Sequence, residues 1–144
     1  MTEKLFLHLE IPGTPVPKGR PRVTRTGHVY TPSKTRAYED VIRLSTRVAM
    51  AGRPPTENPC RVNVTALFQP PDSWPKKKKR DIRVHATKPD LDNVVKSALD
   101  GICFATGAIK DDKQIHEIRA SKGYAQDASL MIEVFEMVRT TSEG

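Results

Sequence analysis

The sequence predicts a single α+β domain in which a mixed β-sheet packs against two main helices. Its length of 144 residues fits one ordinary domain. Several segments carry apolar residues at every second position, as strands do, and two longer segments carry them at helical spacing. The predicted order is strand, hairpin, helix, strand, basic loop, helix, strand, strand, without an internal repeat or a second domain. This order is typical of α+β proteins.

The N-terminal region predicts a strand followed by a hairpin. Residues 5–11 place leucine or isoleucine at alternate positions, which indicates a strand. The prolines and glycine of residues 12–17 would end that strand. Residues 22–25 and 28–31 flank a threonine-glycine pair, and this pattern predicts a short hairpin.

A helix is predicted from about residue 32 to residue 50. Pro32 suits the first helical position, and the glycine and prolines of residues 52–55 would end the helix. The residues predicted to form its apolar face are Tyr38, Val41, Val48 and Ala49, with Ile42 and Leu44 at the margins. Residues 62–68 then carry an apolar residue at every second position and predict a strand.

The second half of the chain predicts a loop, a helix and two strands. Residues 70–89 contain four prolines and no clear period, so we predict a mobile basic loop, with a short strand near residues 82–85. A helix is predicted over residues 90–104, with its apolar face formed by Leu91, Val95, Ala98 and Ile102. Residues 115–124 and 128–138 predict the last two strands.

Charge is unevenly distributed along the chain, which has a formal net charge of +7. Residues 1–60 hold ten Lys and Arg against five acids, and residues 61–90 hold eight against three. Residues 91–144 reverse the balance, with six against nine. The basic N-terminal part of the chain favours a polyanionic partner, and the acidic C-terminal part could hold a cation.

Several classes of protein are disfavoured by composition. No apolar run approaches the ~20 residues of a membrane span, and the N-terminus lacks a secretory apolar core. Cys60 and Cys103 are 43 positions apart, which fits neither a disulfide scaffold nor a C-x-x-C pair. We therefore expect a reduced, cytoplasmic protein without a membrane partner.

Carboxylates are concentrated around the second predicted helix. Asp92, Lys96 and Asp100 fall at i, i+4 and i+8 and share a stripe away from the apolar face. Asp90, just before the helix, could point to the same place, and the loop with the pair at residues 111–112 could fold back to it. Converging carboxylates repel one another, and a divalent cation removes the conflict. Oxygen-only ligation favours Mg²⁺ or Mn²⁺ over Zn²⁺.

A plainer interpretation of the same carboxylates remains open. Asp90 could cap the helix, Asp92 could interact with the helix dipole, and the stripe could form surface ion pairs. The basic segments favour a nuclease, because phosphodiester cleavage needs a surface that binds the polyanion beside a metal site.

Two basic segments are candidates for binding nucleic acid. The first, residues 13–36, contains six Lys and Arg and no acid, and its candidate contacts are Lys18, Arg20, Arg22 and Arg25. The second lies in the predicted loop and consists of Lys76, Lys77, Lys78, Lys79 and Arg80. Trp74 beside it could stack on an unpaired base. The alternative for both segments is a solvated surface.

The segment K-P-D-L-D-N-V-V-K at residues 88–96, followed by Asp100 and by K-D-D-K-Q-I at residues 110–115, resembles the RusA family of Holliday junction resolvases. Residues 11–22 are similar to the opening of phage and prophage members, and the resemblance extends over about residues 5–138. It implies a small homodimeric endonuclease that uses Mg²⁺, with no small-molecule cofactor, and cuts four-way DNA junctions by paired, symmetric nicks.

The resemblance also implies roles for individual residues. The metal ligands would be Asp90, Asp92 and Asp112, and Lys96 would be the catalytic lysine. Asp100 matches a recurrent acid. The stretch before Asp111 is about one residue longer than in the best-known member, so the choice between Asp111 and Asp112 stays open. The alternatives are a non-catalytic protein that binds branched DNA and, more distantly, a basic RNA-binding domain.

Overall fold

A four-stranded mixed sheet is the framework of the protein, whose residues 1–140 are described by a computed structural model. In chain order the elements are β1 (Thr2–Pro12), β2 (Arg22–Val23), β3 (Val29–Tyr30), α1 (Ser33–Met50), β4 (Cys60–Phe68), α2 (Lys76–Asp81), α3 (Leu91–Ile102), β5 (Ile115–Tyr124) and β6 (Ser129–Val138). The large sheet has the order β1-β6-β4-β5. Only the β4–β5 pair is parallel, and β6 pairs antiparallel with both its neighbours. The predicted α+β architecture is confirmed.

The core lies between this sheet and the two long helices. Alternate residues of β4, among them Val62, Val64 and Ala66, are buried, as the period of two requires. Helix α1 packs against β1 and α3, and α3 also contacts β4 and β5. Helix α3 therefore lies between α1 and the parallel strand pair.

The buried face of α1 differs from the predicted one. Val41 and Val48 are 48% and 73% exposed, so the predicted apolar stripe largely faces outward. The residues that face inward are Thr35, Glu39, Ile42, Thr46 and Met50. Polar members of this face have internal partners: the Thr46 hydroxyl, for example, donates to the Ile42 carbonyl at 2.7 Å. A count of apolar residues could not identify a face that is partly polar.

Helix α3 is also rotated relative to the prediction. Ala98 and Ile102 are buried as expected, but Val94, Ser97 and Gly101 complete the buried face, and Leu91 and Val95 lie at its margin. Gly101 faces α1 so closely that a Cβ there would lie 2.5 Å from the Ile42 Cβ. The absence of a side chain at position 101 therefore sets the distance between the two helices.

The two basic segments adopt different structures. The predicted hairpin is present as β2 and β3, with Gly27 in its turn at a φ of 83°, and residues 20–30 are exposed throughout. Residues 70–89, which we predicted as a loop, contain the short helix α2. Val84 forms an antiparallel bridge with Gly123 of β5, close to the predicted short strand. Within residues 1–140, no helix combines the length and apolarity of a membrane span.

Replacing Gly101 by alanine tests the close packing of α1 and α3. Alanine would ordinarily favour a helix by about 1 kcal/mol. Here we expect Gly101→Ala to lower the free energy of unfolding by about 1–3 kcal/mol, because the added methyl overpacks the contact with Ile42. Chemical denaturation measures this change.

The double variant Gly101→Ala/Ile42→Ala is the control. It should lose less stability than the sum of the two single variants, because the shortened side chain makes room. An unchanged or higher stability for Gly101→Ala alone would contradict the described packing.

Candidate active site

Asp90 immediately precedes α3, but its carboxylate does not cap the helix. Its backbone carbonyl accepts from the amides of Asn93 and Val94, at 3.2 and 3.3 Å. Among the described residues 1–140, no capping bond joins its side chain to the first turn, and the residue is exposed. The alternative in which Asp90 serves as an N-cap through its side chain is therefore not supported.

The backbone before Asp90 is held by a lysine of β5. The Lys122 ammonium donates to the carbonyls of Thr87 and Pro89, at 2.6 and 2.8 Å. These two bonds fix the approach to α3 from the edge of the sheet. The role of Lys122 could not be predicted from the sequence, because a lysine on a predicted strand carries no local signal for such a contact.

Asp92 and Lys96 are more exposed than Asp100, the third residue of the predicted stripe. Their charged atoms are 4.0 Å apart, at the outer limit of an ion pair, and the side chains are 71% and 62% exposed. Such exposed pairs contribute little to stability. Both groups are therefore available to a ligand at the start of α3.

Asp111 and Asp112 play different local roles. The Asp111 carboxylate accepts from the Lys113 amide at 3.0 Å, and the Gln114 side chain accepts from the Asp111 amide at 2.8 Å. This capping box begins the 3₁₀ turn Asp112–Gln114. The hydrogen bond from the Lys113 amide lowers the pKa of Asp111. Asp111 is therefore engaged as a cap, and the choice of Asp112 over Asp111 as a metal ligand stays a prediction.

The two groups of carboxylates lie at opposite ends of α3. Ile109, just before the aspartate pair, bridges to Cys103 at the C-terminal end of the helix. Burial raises the pKa of the Cys103 thiol to about 12, with a further contribution from the nearby carboxylates of Asp112 and Asp100. Asp90 is at the other end, and a helix of 12 residues is about 18 Å long.

This separation bears directly on the predicted metal site. Within residues 1–140, no three His, Cys, Asp or Glu side chains are grouped so that they could hold a metal ion. The carboxylate oxygens of Asp90, Asp92 and Asp112 have the right chemistry for Mg²⁺. One chain does not bring them together, and the assignment of these ligands stays a prediction.

Lys18 ties the N-terminal basic segment to α3. Its amide donates to the Asn93 carbonyl at 2.8 Å, and its ammonium lies 2.8 Å from carboxylate oxygens of both Glu39 and Asp100. Partial burial alone would lower the pKa of Lys18, but its bonds to Asp100 and Glu39 outweigh that effect and raise the pKa. The ammonium is therefore already paired, which gives Asp100 a structural partner.

Glu39 is a residue that sequence reasoning missed. It is only 4% exposed and contributes a buried carboxylate to α1. Its spacing from Thr35, Ile42 and Thr46 places it on the buried face, but its charge excluded it from an apolar pattern. With Lys18 held by Glu39, the exposed cations of the hairpin region are Arg20, Arg22 and Arg25.

Trp74 is part of the fold next to the second basic segment. Its ring packs edge-on against Tyr124, with ring centres 5.2 Å apart, and the Lys78 ammonium lies 4.2 Å from the ring centre. His85 stacks on the other side of this cluster, between Phe68 and Tyr124. These contacts attach residues 70–89 to the sheet, while stacking of Trp74 on a DNA base stays a prediction.

The chain is similar to known proteins over nearly its whole length. It matches the family model described as "Endodeoxyribonuclease RusA" over residues 12–135. It is also 30% identical, over 136 residues, to the protein described as "Uncharacterized protein YqaN" of Bacillus subtilis (strain 168). That alignment covers 87% of this chain and 92% of the B. subtilis protein.

The different roles of the two neighbouring aspartates can be tested by stability. We expect Asp111→Ala to lower the thermal midpoint, because the Lys113 amide loses its acceptor at the start of the 3₁₀ turn. Asp112→Ala is the matched control and should change the midpoint less. A larger loss for the Asp112 variant would reverse the assignment of cap and candidate ligand.

Proposed function

Because the chain belongs to the RusA family of endodeoxyribonucleases, we propose that it is a Mg²⁺-dependent nuclease that resolves four-way DNA junctions by paired, symmetric nicks. Members of the family act on branched DNA. The observation that carries the proposal is the exposed pair of carboxylates, Asp90 and Asp92, beside Lys96 at the start of α3. We place this activity in the cytoplasm of a bacterium or a phage-infected host.

The proposed ligands of Mg²⁺, or of Mn²⁺ in its place, are Asp90, Asp92 and Asp112. Such an ion, when bound, would supply an activated water and neutralise charge on the phosphate. Lys96 projects beside Asp92, where its ammonium would bind a non-bridging oxygen of the scissile phosphate. Lys122 and Lys18 act indirectly, because they hold the backbone on either side of the first turn of α3.

A homodimer is part of the proposal, and the separation of the carboxylates supports it. In a two-fold pair whose axis is perpendicular to α3, the two helices run in opposite directions. The N-terminal end of one helix, with Asp90 and Asp92, would then face the C-terminal end of its partner, beside Asp112. Two such composite sites would share the two-fold symmetry of a four-way junction.

One observation favours a second candidate function. Because one chain holds no group of three metal-binding side chains within residues 1–140, the protein could be a non-catalytic module that binds branched DNA. The exposed carboxylate of Asp90, which does not cap α3, argues against this candidate. A protein that only binds DNA gains nothing from exposed negative charge beside the DNA.

Cleavage of a labelled four-way junction decides between the two candidates. With Mg²⁺ we expect paired nicks at symmetric positions, and with EDTA or on a linear duplex we expect none. Asp92→Asn should reduce cleavage by at least about a hundredfold while junction binding persists, because the substitution removes a proposed ligand charge and leaves the basic surfaces intact.

Asp127→Asn, which makes the same change on an exposed connection between β5 and β6, is the matched control and should cut normally. Tight junction binding by the unsubstituted protein without cleavage, in either Mg²⁺ or Mn²⁺, would reject the nuclease and favour the binding module.

A further inference from the structure

Helix α2 distributes the five cations of residues 76–80 over different faces. Lys76, Lys79 and Arg80 follow one another at i, i+3 and i+4, and therefore share a face of the helix. Helix geometry places Lys77 and Lys78 about 100° and 200° around the axis from Lys76. Lys78 is used to cover the Trp74 ring. The five cations are thus not equivalent.

The shared face of α2 lines a cleft of about 380 Å³. Arg83, from the segment after the helix, adds a fourth cation to Lys76, Lys79 and Arg80. The opposite wall is formed where β4 and β5 end, and there the Gln69 amide donates to the Gln126 carbonyl at 3.0 Å. The only carboxylate among the lining residues within the described part of the chain is that of Asp72, so the cleft has a net charge of +3.

The cleft lies at the same end of the sheet as Asp90. The Arg83 carbonyl accepts from the Tyr124 amide at 2.8 Å, and Val84 bridges to Gly123. Lys122 then holds the carbonyl of Pro89, directly before Asp90. The segment from the cleft to α3 therefore follows the C-terminal end of β5, through bonds to three consecutive residues of that strand.

We propose that this cleft binds the sugar-phosphate backbone of the DNA strand that leads to Asp90 and Asp92, with contacts from Lys76, Lys79, Arg80 and Arg83. This proposal rests on the proposed function and adds a defined contact surface to it. The volume suits a phosphodiester unit with its sugar rather than a bare ion, and clustered cations are the groups that bind such a backbone. Lys77 and Lys78 make no such contact.

The experiment measures junction affinity in EDTA as a function of salt, so that it does not depend on cleavage. Each phosphate contact that is lost reduces the magnitude of the slope of log association constant against log salt concentration by about 0.9. It also lowers the affinity at 0.15 M salt by about fivefold. In the proposed homodimer, Arg83→Gln and Lys79→Gln should each remove two such contacts, so we expect the slope to fall in magnitude by about 1.8 and the affinity by about 25-fold. Lys77→Gln is the matched control and should leave the slope unchanged.

Two further variants test the role of charge in the cleft. Asp72→Asn should tighten junction binding at least about twofold, because it removes the carboxylate that opposes the DNA phosphates. Arg83→Lys retains the charge and should retain most of the salt dependence. Equal thermal midpoints would show that these exposed substitutions leave the fold intact.

The outcomes distinguish a failure of the cleft assignment from a failure of the proposed nuclease function. If Arg83→Gln and Lys79→Gln bind like Lys77→Gln while the protein still cuts junctions, the cleft assignment is wrong and the nuclease stands. If the predicted losses appear but no DNA is cut, the cleft stands and the nuclease fails. Binding of a mononucleotide as tight as that of DNA, through the same residues, would make the cleft a nucleotide pocket and overturn the proposal.

Discussion

The packing of α3 against α1 and the sheet is the constraint on which the rest of the structure depends. Because Gly101 has no side chain, α3 packs closely against Ile42 of α1. The other buried residues of α3 fix the rotation of the helix about its axis. Once α3 is fixed, Asp92 and Lys96 must point outward at one end, while the aspartate pair follows the other end. A rigid helix keeps these groups apart, because its length cannot change.

Lysine side chains connect this helix to the rest of the chain. Lys18 joins the N-terminal segment to Asp100 and Glu39, and Lys122 holds the backbone before Asp90. Both lysines belong to a strongly basic chain, yet both act within the fold. Other cations stay exposed, among them Arg20, Arg22 and Arg25 of the hairpin region and Lys76, Lys77 and Arg80 of α2.

The sequence was sufficient for the parts of the structure that depend on local periodicity. The strands of the large sheet, the hairpin and α3 all have such a signal. The buried face of α1 was predicted wrongly because Thr35, Glu39 and Thr46 have polar partners that spacing does not reveal. Helix α2 has no apolar face of its own, so its charged sequence looked like a loop. The cap formed by Asp111 and the distance between Asp90 and Asp112 depend on tertiary packing.

The composite site is tested by asking whether carboxylates from opposite ends of α3 act together across two chains. Asp92→Asn and Asp112→Asn proteins, each inactive alone, would be mixed under conditions that exchange subunits and assayed on a four-way junction with Mg²⁺. Mixed dimers would hold one intact composite site, so we expect single-strand nicking to recover to about a quarter of the unsubstituted rate. A mixture that stays as inactive as its parts, although subunits exchange, would show that the site is not shared between two chains.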